Sequence, residues 1–411
     1  MLSPTPFSLL CALLLCLPLA MVFTITTSPT PHSSSSTTLS GGSSTSHLQT
    51  ITTTTTTTSS SSTIIANKTA KVLTSPQLSA LLPPLKTSQK PHNKTATRDE
   101  TDDEDDSLFQ LAGRVNPNPK PPIKKIAFMF LTTTPLPLAP LWELFFNKTR
   151  RNLYNIYIHA DPSYNYTPPF RGVFAHRVIP SKPTRRHSPT LISAARRLLA
   201  RALLHDRSNY MFALLSPSCI PLHSFGFTYR VLTKSRKSFV EILKDEPGAY
   251  DRWAARGEDA MVPEVKFDDF RIGSQFFLLK RKHARIVVRD SRLWSKFKLP
   301  CLMLDTCYPE EHYFATLLSM VDPRGCVPAT LTHVDWRDSQ DGHPRMYDED
   351  EVGPELIRTL RKAKPRYGSE GSNVSNSSVS RRRDPFLFAR KFSPDTIQKL
   401  MDIAGDIILK D

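Results

Sequence analysis

Six short, nearly unbroken apolar runs punctuate the last two thirds of the chain, separated by stretches whose apolar residues recur with helical spacing. Ile126–Leu131 (IAFMFL) and Tyr210–Leu215 (YMFALL) have the signature of strands buried on both faces. Tyr154–Asp161 (YNIYIHAD) is a third strand candidate, ending in a polar pair, and Phe174–Ile179, Ser274–Leu279 and Leu331–Trp336 are further ones. Leu138–Phe146 reads as a helix. With Ser188 as cap and Pro189 at the first helical position, a longer helix is predicted to about Leu204. Its Leu191, Ala194, Ala195, Leu198, Leu199 and Leu203 form one apolar face; Arg196, Arg197 and Arg201 lie largely opposite and read as solvated. Pro309 opens another helix, and Ser393 with Pro394 opens a last one, burying Ile397, Leu400, Met401, Ala404, Ile407 and Ile408. Alternating strands and helices predict an α/β domain on a mostly parallel sheet. In such sheets ligands bind beyond the carboxyl ends of strands, here Thr132–Thr134, His159–Asp161 and Ser216–Pro221.

The first third is patterned differently. Phe7–Phe23 is uncharged and almost wholly apolar, long for the core of a cleaved signal and just short of a standard bilayer span. No Lys or Arg precedes Lys68, so the charge asymmetry that orients such a segment is absent. It reads as a transmembrane signal-anchor over residues 7–25 behind a short tail, 1–6, with a cleaved signal as the alternative. Either delivers the remainder to the secretory lumen. Between Thr24 and Thr63, 29 of 40 residues are Ser or Thr, too polar to repay the entropy of ordering and suited to O-glycosylation. A disordered stem is therefore predicted over 26–120, extended as a solvated spacer by the acidic run Asp99–Asp106, which lacks the Gly and closing Glu of a calcium loop. The folded domain would occupy 121–411, with a mobile loop over 366–384.

Composition narrows the classes. Only 14 Gly among 411 residues excludes collagen, and 39% hydrophobic residues excludes a multi-span membrane protein. Residues 124–411 hold 46 Lys/Arg against 31 Asp/Glu, a basic balance that suits an anionic partner. There is no GxGxxG or Walker loop. N-x-Ser/Thr sequons at Asn67, Asn93, Asn147, Asn165, Asn373 and Asn376 agree with lumenal exposure. In an oxidising lumen Cys219, Cys301, Cys307 and Cys326 allow two disulfides in three connectivities; their spacing does not suit zinc.

Candidate chemistry concentrates in Tyr308–Leu318 (YPEEHYFATLL). Glu310 and Glu311 fall in a first helical turn, where carboxylates complement the helix dipole. The sharper reading makes one of them a general base, raised in pKa by partial desolvation. His312 is a possible shuttle, though an exposed His is the plainer reading. In Phe386–Phe392 (FLFARKF), adjacent Arg390 and Lys391 enter an apolar segment and need anionic partners, a role that a sugar-nucleotide diphosphate fills. Asp348 and Asp350 have the Asp-x-Asp spacing of a metal-diphosphate site but read as a solvated loop.

These stretches, together with LLSPSCIPLHSF, FRIGSQFFLLKRKHARIVV and LTHVDW, appear in order and resemble the core-2/I-branching β-1,6-N-acetylglucosaminyltransferase family (glycosyltransferase family 14), in its plant branch. The resemblance implies a variant GT-A fold, a type II Golgi membrane layout and an inverting, metal-independent transfer from a UDP-sugar to a glycan or glycoprotein, with no cofactor. By position it implies Glu311 as base, with Glu310 on the acceptor side, Lys391 with Arg390 at the diphosphate, and Asp161 near the uridine or ribose. Trp336 aligns with an acceptor-side aromatic. A second diphosphate cation is expected upstream of Lys391, at Arg358 or Arg361. Two departures bear on specificity: Ser216-Pro217-Ser218-Cys219 replaces a usual Ser-Glu-Ser-Cys, and Arg185-Arg186-His187 replaces a Trp-Gly pair. The rival reading is a catalytically inactive glycan-binding module of the same fold. A nucleic-acid partner is excluded by the secretory address.

Overall fold

Strand β1 (Lys125–Thr132) is buried along nearly its whole length and lies between two parallel neighbours, β2 (Tyr154–Ala160) and β3 (Asn209–Leu215). Ala127, Met129 and Leu131 face one apolar layer; Ile126, Phe128 and Phe130 face the other. Neither face meets water, so the sequence shows an unbroken apolar run where a half-exposed strand would alternate. The computed structural model describes residues 98–337, 339, 343–369 and 382–411. The anchor, most of the stem, part of the 366–384 loop and the sequons Asn67, Asn93, Asn373 and Asn376 lie outside the described residues.

Three short strands extend the sheet beyond β3 in the order β2-β1-β3-β6-β5-β7, with β5 at Ser238–Phe239, β6 at Leu278–Lys280 and β7 at Cys326–Val327. Only β6 runs antiparallel to its neighbours, so the sheet is mostly parallel, as predicted. One layer is built by α1 (Arg98–Gly113), α3 (Thr190–His205), α5 (Ala249–Ala254), α6 (Arg281–Arg289), α7 (Arg292–Phe297) and α8 (Pro309–Val321). The opposite layer holds α2 (Ala139–Phe146) and α4 (Phe225–Lys234). A second sheet pairs β4 (Ile220–Pro221), β9 (Phe388–Arg390) and β8 (Thr332–Val334) in the order β4-β9-β8, packed with α9 (Pro354–Lys362) and α10 (Ile397–Asp402).

Several expectations need correction. Phe174–Ile179 is no strand: a single turn of 3-10 helix is followed by one bridge from Val178 to Ile158. Leu331–Trp336 and Phe386–Phe392 supply strands of the second sheet, which the apolar runs did not distinguish from the first. The acidic run is no solvated spacer, for it lies on α1, whose Leu108, Phe109 and Ala112 enter the core. Nor are two of the three α3 arginines solvated: Arg196 is 3% exposed and Arg197 7%, while Arg201 is half-buried. Arg197 binds both oxygens of buried Asp105, the closest contact at 2.6 Å, and Lys182 reaches the same carboxylate at 3.1 Å. Arg196 lies between the Phe109 and Trp294 rings, 4.4 and 4.8 Å from their centroids, and donates to the Val288 and Asp290 carbonyls.

Among the described cysteines one pair is joined, Cys301 to Cys307. Cys219 and Cys326 are free and buried in the two opposite layers of the sheet. The second disulfide that the four cysteines allowed is not formed.

The α1 anchor is testable. Burial alone would raise the Asp105 pKa, but hydrogen bonds and charge from Arg197 and Lys182 outweigh it and hold it below the usual value. Its contribution is present above the unfolded carboxylate pKa of about 3.9 and is lost as pH falls through the depressed folded value. Asp105→Ala strands Arg197 in the core and is expected to cost about 3–5 kcal/mol at pH 7 by chemical denaturation. A loss under about 1 kcal/mol would show α1 to be an appendage.

Candidate active site

The carboxyl ends of β1 and β3 open into a cleft of ≈ 860 Å³ lined by Thr132, Ser216 and Pro217, at the edge the sheet topology favours. Helix α8 delivers Glu310 and Glu311 into it from its first turn. Pro309 starts that helix without losing a needed N–H, and the disulfide loop closes at Cys307, two residues before it. Gly273 fixes the helix laterally, its N–H donating to the Glu311 carbonyl at 2.8 Å. A Cβ there would stand 2.0 Å from the Glu241 carbonyl oxygen, so only glycine permits the approach.

Charge is dense. The cations Arg186, Arg252, Arg366, Arg390, Lys364 and Lys391 line the cleft together with Glu241, Glu246, Glu310 and Glu311. Arg252 of α5 contacts Glu311 at 3.3 Å, and Arg366 contacts Glu246 at 2.7 Å. The Glu311 side chain faces the cavity space yet is walled by protein: burial raises its pKa, while Arg252, Arg390 and Arg186 pull it down. Glu310 is pushed up to about 7 by burial, against a backbone hydrogen bond, with the Glu311 charge adding to the rise. Burial likewise takes Glu241 to about 7, opposed by Arg366 and assisted by Glu311. Such carboxyl groups, near neutrality in a cleft, suit proton transfer. Arg390 stacks 4.5 Å from the Phe276 ring centroid, and its buried Nε has no partner.

The cleft thus gathers Glu310, Glu311, Arg390, Lys391 and Trp336 from α8, β9 and the segment after β8. Trp336 is 56% exposed at the rim, its neighbour Asp335 being clamped by Arg337 and Arg345 at 2.7 and 3.2 Å. Other candidates fall elsewhere. Asp161 does not line the cleft; it is fully buried and accepts from the Thr184 N–H and hydroxyl, both at 2.6 Å, so Thr184 lines the cleft in its place. Arg361 spends its donors on the carbonyls of Leu222, Ile408 and Lys410, and Arg358 pairs on the surface with Glu355. Neither reaches the cavity, whereas Arg366 does. His312 is fully buried against Phe270 and held neutral, not exposed as expected. Asp348 caps a short 3-10 turn, and Asp350 is exposed in it, away from the cleft. No cluster of three or more His, Cys, Asp or Glu suited to a metal occurs among the described residues. Asn147 and Asn165 are both exposed.

Arg186, Arg252, Glu241 and Arg366 were not singled out as site residues from sequence. Arg186 does lie in the segment that departs from the family pattern, and Gly273 lies inside FRIGSQFF; the others carry no local signal.

Carboxyl groups and cations thus share one cleft at the sheet end, an arrangement suited to proton transfer beside an anionic group. Residues 126–361 match the model of the Core-2/I-Branching enzyme. Over 312 residues the chain is 28% identical to Glycosyltransferase BC10 of Oryza sativa subsp. japonica, covering 68% of this chain and 76% of that one. The protein is a glycosyltransferase, and it belongs to the core-2/I-branching enzyme family.

Gly273→Ala forces Cβ into the Glu241 carbonyl and is expected to lower stability by about 1–3 kcal/mol and to reduce transfer at saturating substrates. Unchanged turnover would show that the 272–275 segment does not place α8.

Proposed function

We propose that the protein transfers a sugar, N-acetylglucosamine or a relative, from a UDP-sugar to a hydroxyl of a glycan or glycoprotein, inverting the anomeric carbon on a variant GT-A fold. The supporting observation is the single cleft shared by Glu311 and the Arg390–Lys391 pair. Glu311 takes the acceptor's hydroxyl proton as the oxygen attacks the anomeric carbon. The bond from that carbon to the diphosphate oxygen breaks, and UDP leaves with the electron pair. Arg390 and Lys391 stabilise the charge that develops on the diphosphate. Arg366 takes the second cationic position expected of Arg358 or Arg361, exchanging Glu246 for the donor. The Trp336 ring receives a sugar face of the acceptor, with Glu310 beside it. Fixed cations stand where other transferases hold a metal, so none belongs to this proposal, and no other cofactor does. A Golgi-lumenal, single-pass type II placement is supported by the apolar 7–25 segment, the exposed sequons and the disulfide.

Glu311→Gln is expected to lower turnover by about 10²–10⁴-fold, with UDP binding and thermal midpoint nearly unchanged; retained turnover refutes the base. Activity is expected to survive saturating chelator, and a strict manganese requirement would replace the cation clamp with a metal.

A general base acts ionised, so activity declines as pH falls through the raised pKa of Glu311. Arg252 favours the ionised form, and Arg252→Gln is therefore expected to move the acid limb of kcat/KM to higher pH. A limb that stays put or moves down would separate Arg252 from the base.

A further inference from the structure

At the amino ends of the central strands, away from the cleft, lies a second hollow, of ≈ 790 Å³. Three parts of the chain line it: residues 121–124 ahead of β1, Arg150, Asn152 and Leu153 ahead of β2, and one face of α4. On α4 the pairs Tyr229 with Thr233 and Arg230 with Lys234 stand four residues apart, so the helix lies along the groove. The 8 residues of β1 separate this groove from Leu131 and Thr132 of the cleft, about 25 Å at the rise of a strand.

Its charge is of one sign. Lys124, Arg150, Arg230 and Lys234 line the groove, and no Asp or Glu does. The converging segments 120–125, 148–151 and 230–237 hold ten Lys or Arg and no acid. Arg150, Arg230 and Lys234 are exposed and form no ion pair among the described residues, whereas Arg252 and Arg366 of the cleft are paired. Asp206, at the same end of the sheet, is spent on Lys125 at 2.8 Å and on the Asn155 amide at 3.1 Å. Lys124 lies 4.3 Å from the Tyr210 ring centroid, and Lys280 stands 3.1 Å from that centroid. Burial, with the Lys124 charge, takes the Lys280 pKa down to about 8. Crowding like charges without compensation works against the compact state; an occupant carrying negative charge relieves it.

We propose that this groove is a second binding site, for an anionic polysaccharide whose carboxylates pair with Arg150, Arg230 and Lys234. Between the cations, Pro122, Ile123, Leu153 and Tyr229 offer apolar surface to the C–H faces of sugar rings, and Asn152 offers an amide to their hydroxyls. A polypeptide fits less well, because no lining residue belongs to a strand and so none provides a sheet edge to extend. A bilayer fits less well too: the groove is concave, and anionic lipid is concentrated in cytoplasmic leaflets. The preference for glycan over bilayer rests on the lumenal placement proposed above; the site itself does not, nor does it need Glu311 as base. For a glycosyltransferase, a polymer held there raises the effective concentration of acceptor groups carried on the same polymer.

The test compares the full chain with two triple variants. One empties the groove of charge (Arg150→Gln, Arg230→Gln, Lys234→Gln), and the other removes the same charge elsewhere (Arg292→Gln, Lys298→Gln, Arg324→Gln). All six side chains are exposed, and a thermal scan checks that both variants fold. Calorimetry measures binding of oligogalacturonate, neutral dextran, polyglutamate, phosphatidylserine vesicles and UDP at low and at physiological salt. Oligogalacturonate is expected to bind wild type, more weakly as salt rises, and dextran not to bind. The groove variant is expected to lose on the order of tenfold in oligogalacturonate affinity, at about two- to fivefold for each exposed pair. The charge-matched variant is expected to behave as wild type, and UDP affinity to be unchanged in both. No oligogalacturonate binding by wild type at low salt overturns the proposal, as does an equal loss in both variants. Tighter binding of vesicles or polyglutamate gives the groove to a membrane or a polypeptide and overturns the glycan. Loss of UDP binding in the groove variant joins the groove to the cleft and overturns a separate site. Should the groove triple variant fail to fold, Arg230→Gln alone carries the test, with about a two- to fivefold loss expected. Turnover retained by Glu311→Gln refutes the base and leaves these binding results unaffected.

Discussion

Burial drives the Glu311 carboxyl towards its neutral acid, and Arg252, 3.3 Å away, drives it back. The positive end of the α8 dipole sides with Arg252. A carboxylate stabilised without limit would not accept a proton, and one buried without compensation would already hold it. The cleft therefore depends on distances that keep the two tendencies in balance. Those distances are set by backbone: α5 carries Arg252, Gly273 ties to the Glu311 carbonyl, and the Cys301–Cys307 loop ends two residues ahead of Pro309.

The same problem of buried charge is solved differently at α1. There Asp105 and Arg197 are matched directly, two oxygens to two nitrogens, and Lys182 closes the third side. Arg196 is compensated by carbonyls and two aromatic rings instead. The result is structural: a helix that looks too acidic to fold is fastened by the one helix that looks too basic to be buried. In neither place is every nitrogen matched: Arg197 Nη1 and the Arg196 Nε and Nη1 lack partners at α1, as do the Arg390 Nε and Glu310 Oε2 in the cleft. What differs is position, for only the second set belongs to residues that line the cavity.

This contrast explains which features were legible in the sequence. The central strands were, because burial on both faces demands unbroken apolar runs such as IAFMFL and YMFALL. So was the α8 start, because Pro309 and two acids mark a helix entrance. Hidden were pairings between charges distant along the chain: Asp105 with Arg197, Arg252 with Glu311, Arg366 with Glu246. A charge carries no periodicity that reveals its burial, and the default reading is water. The second sheet was hidden too, since strands of two or three residues leave almost no pattern. Asp161 shows the limit of positional transfer. The strand end was found correctly, but its carboxylate turned inward to hold Thr184, and the threonine faces the cavity.

The cleft divides its labour between walls. Glu311, Arg390 and Lys391 come from α8 and the strand β9 with its following residue, elements fastened by backbone hydrogen bonds and core packing. The departures from the family pattern lie on another wall, where Pro217 stands in place of a usual carboxylate and Arg186 brings a cation. Both changes move the local charge in one direction, towards positive. That wall is therefore more cationic than a chain reading Ser-Glu-Ser-Cys would offer. The two walls are nonetheless coupled by charge, because Arg186 acts on both Glu310 and Glu311; of the two departures, the one at Pro217 alters the wall without adding or removing a cation beside the carboxyl pair.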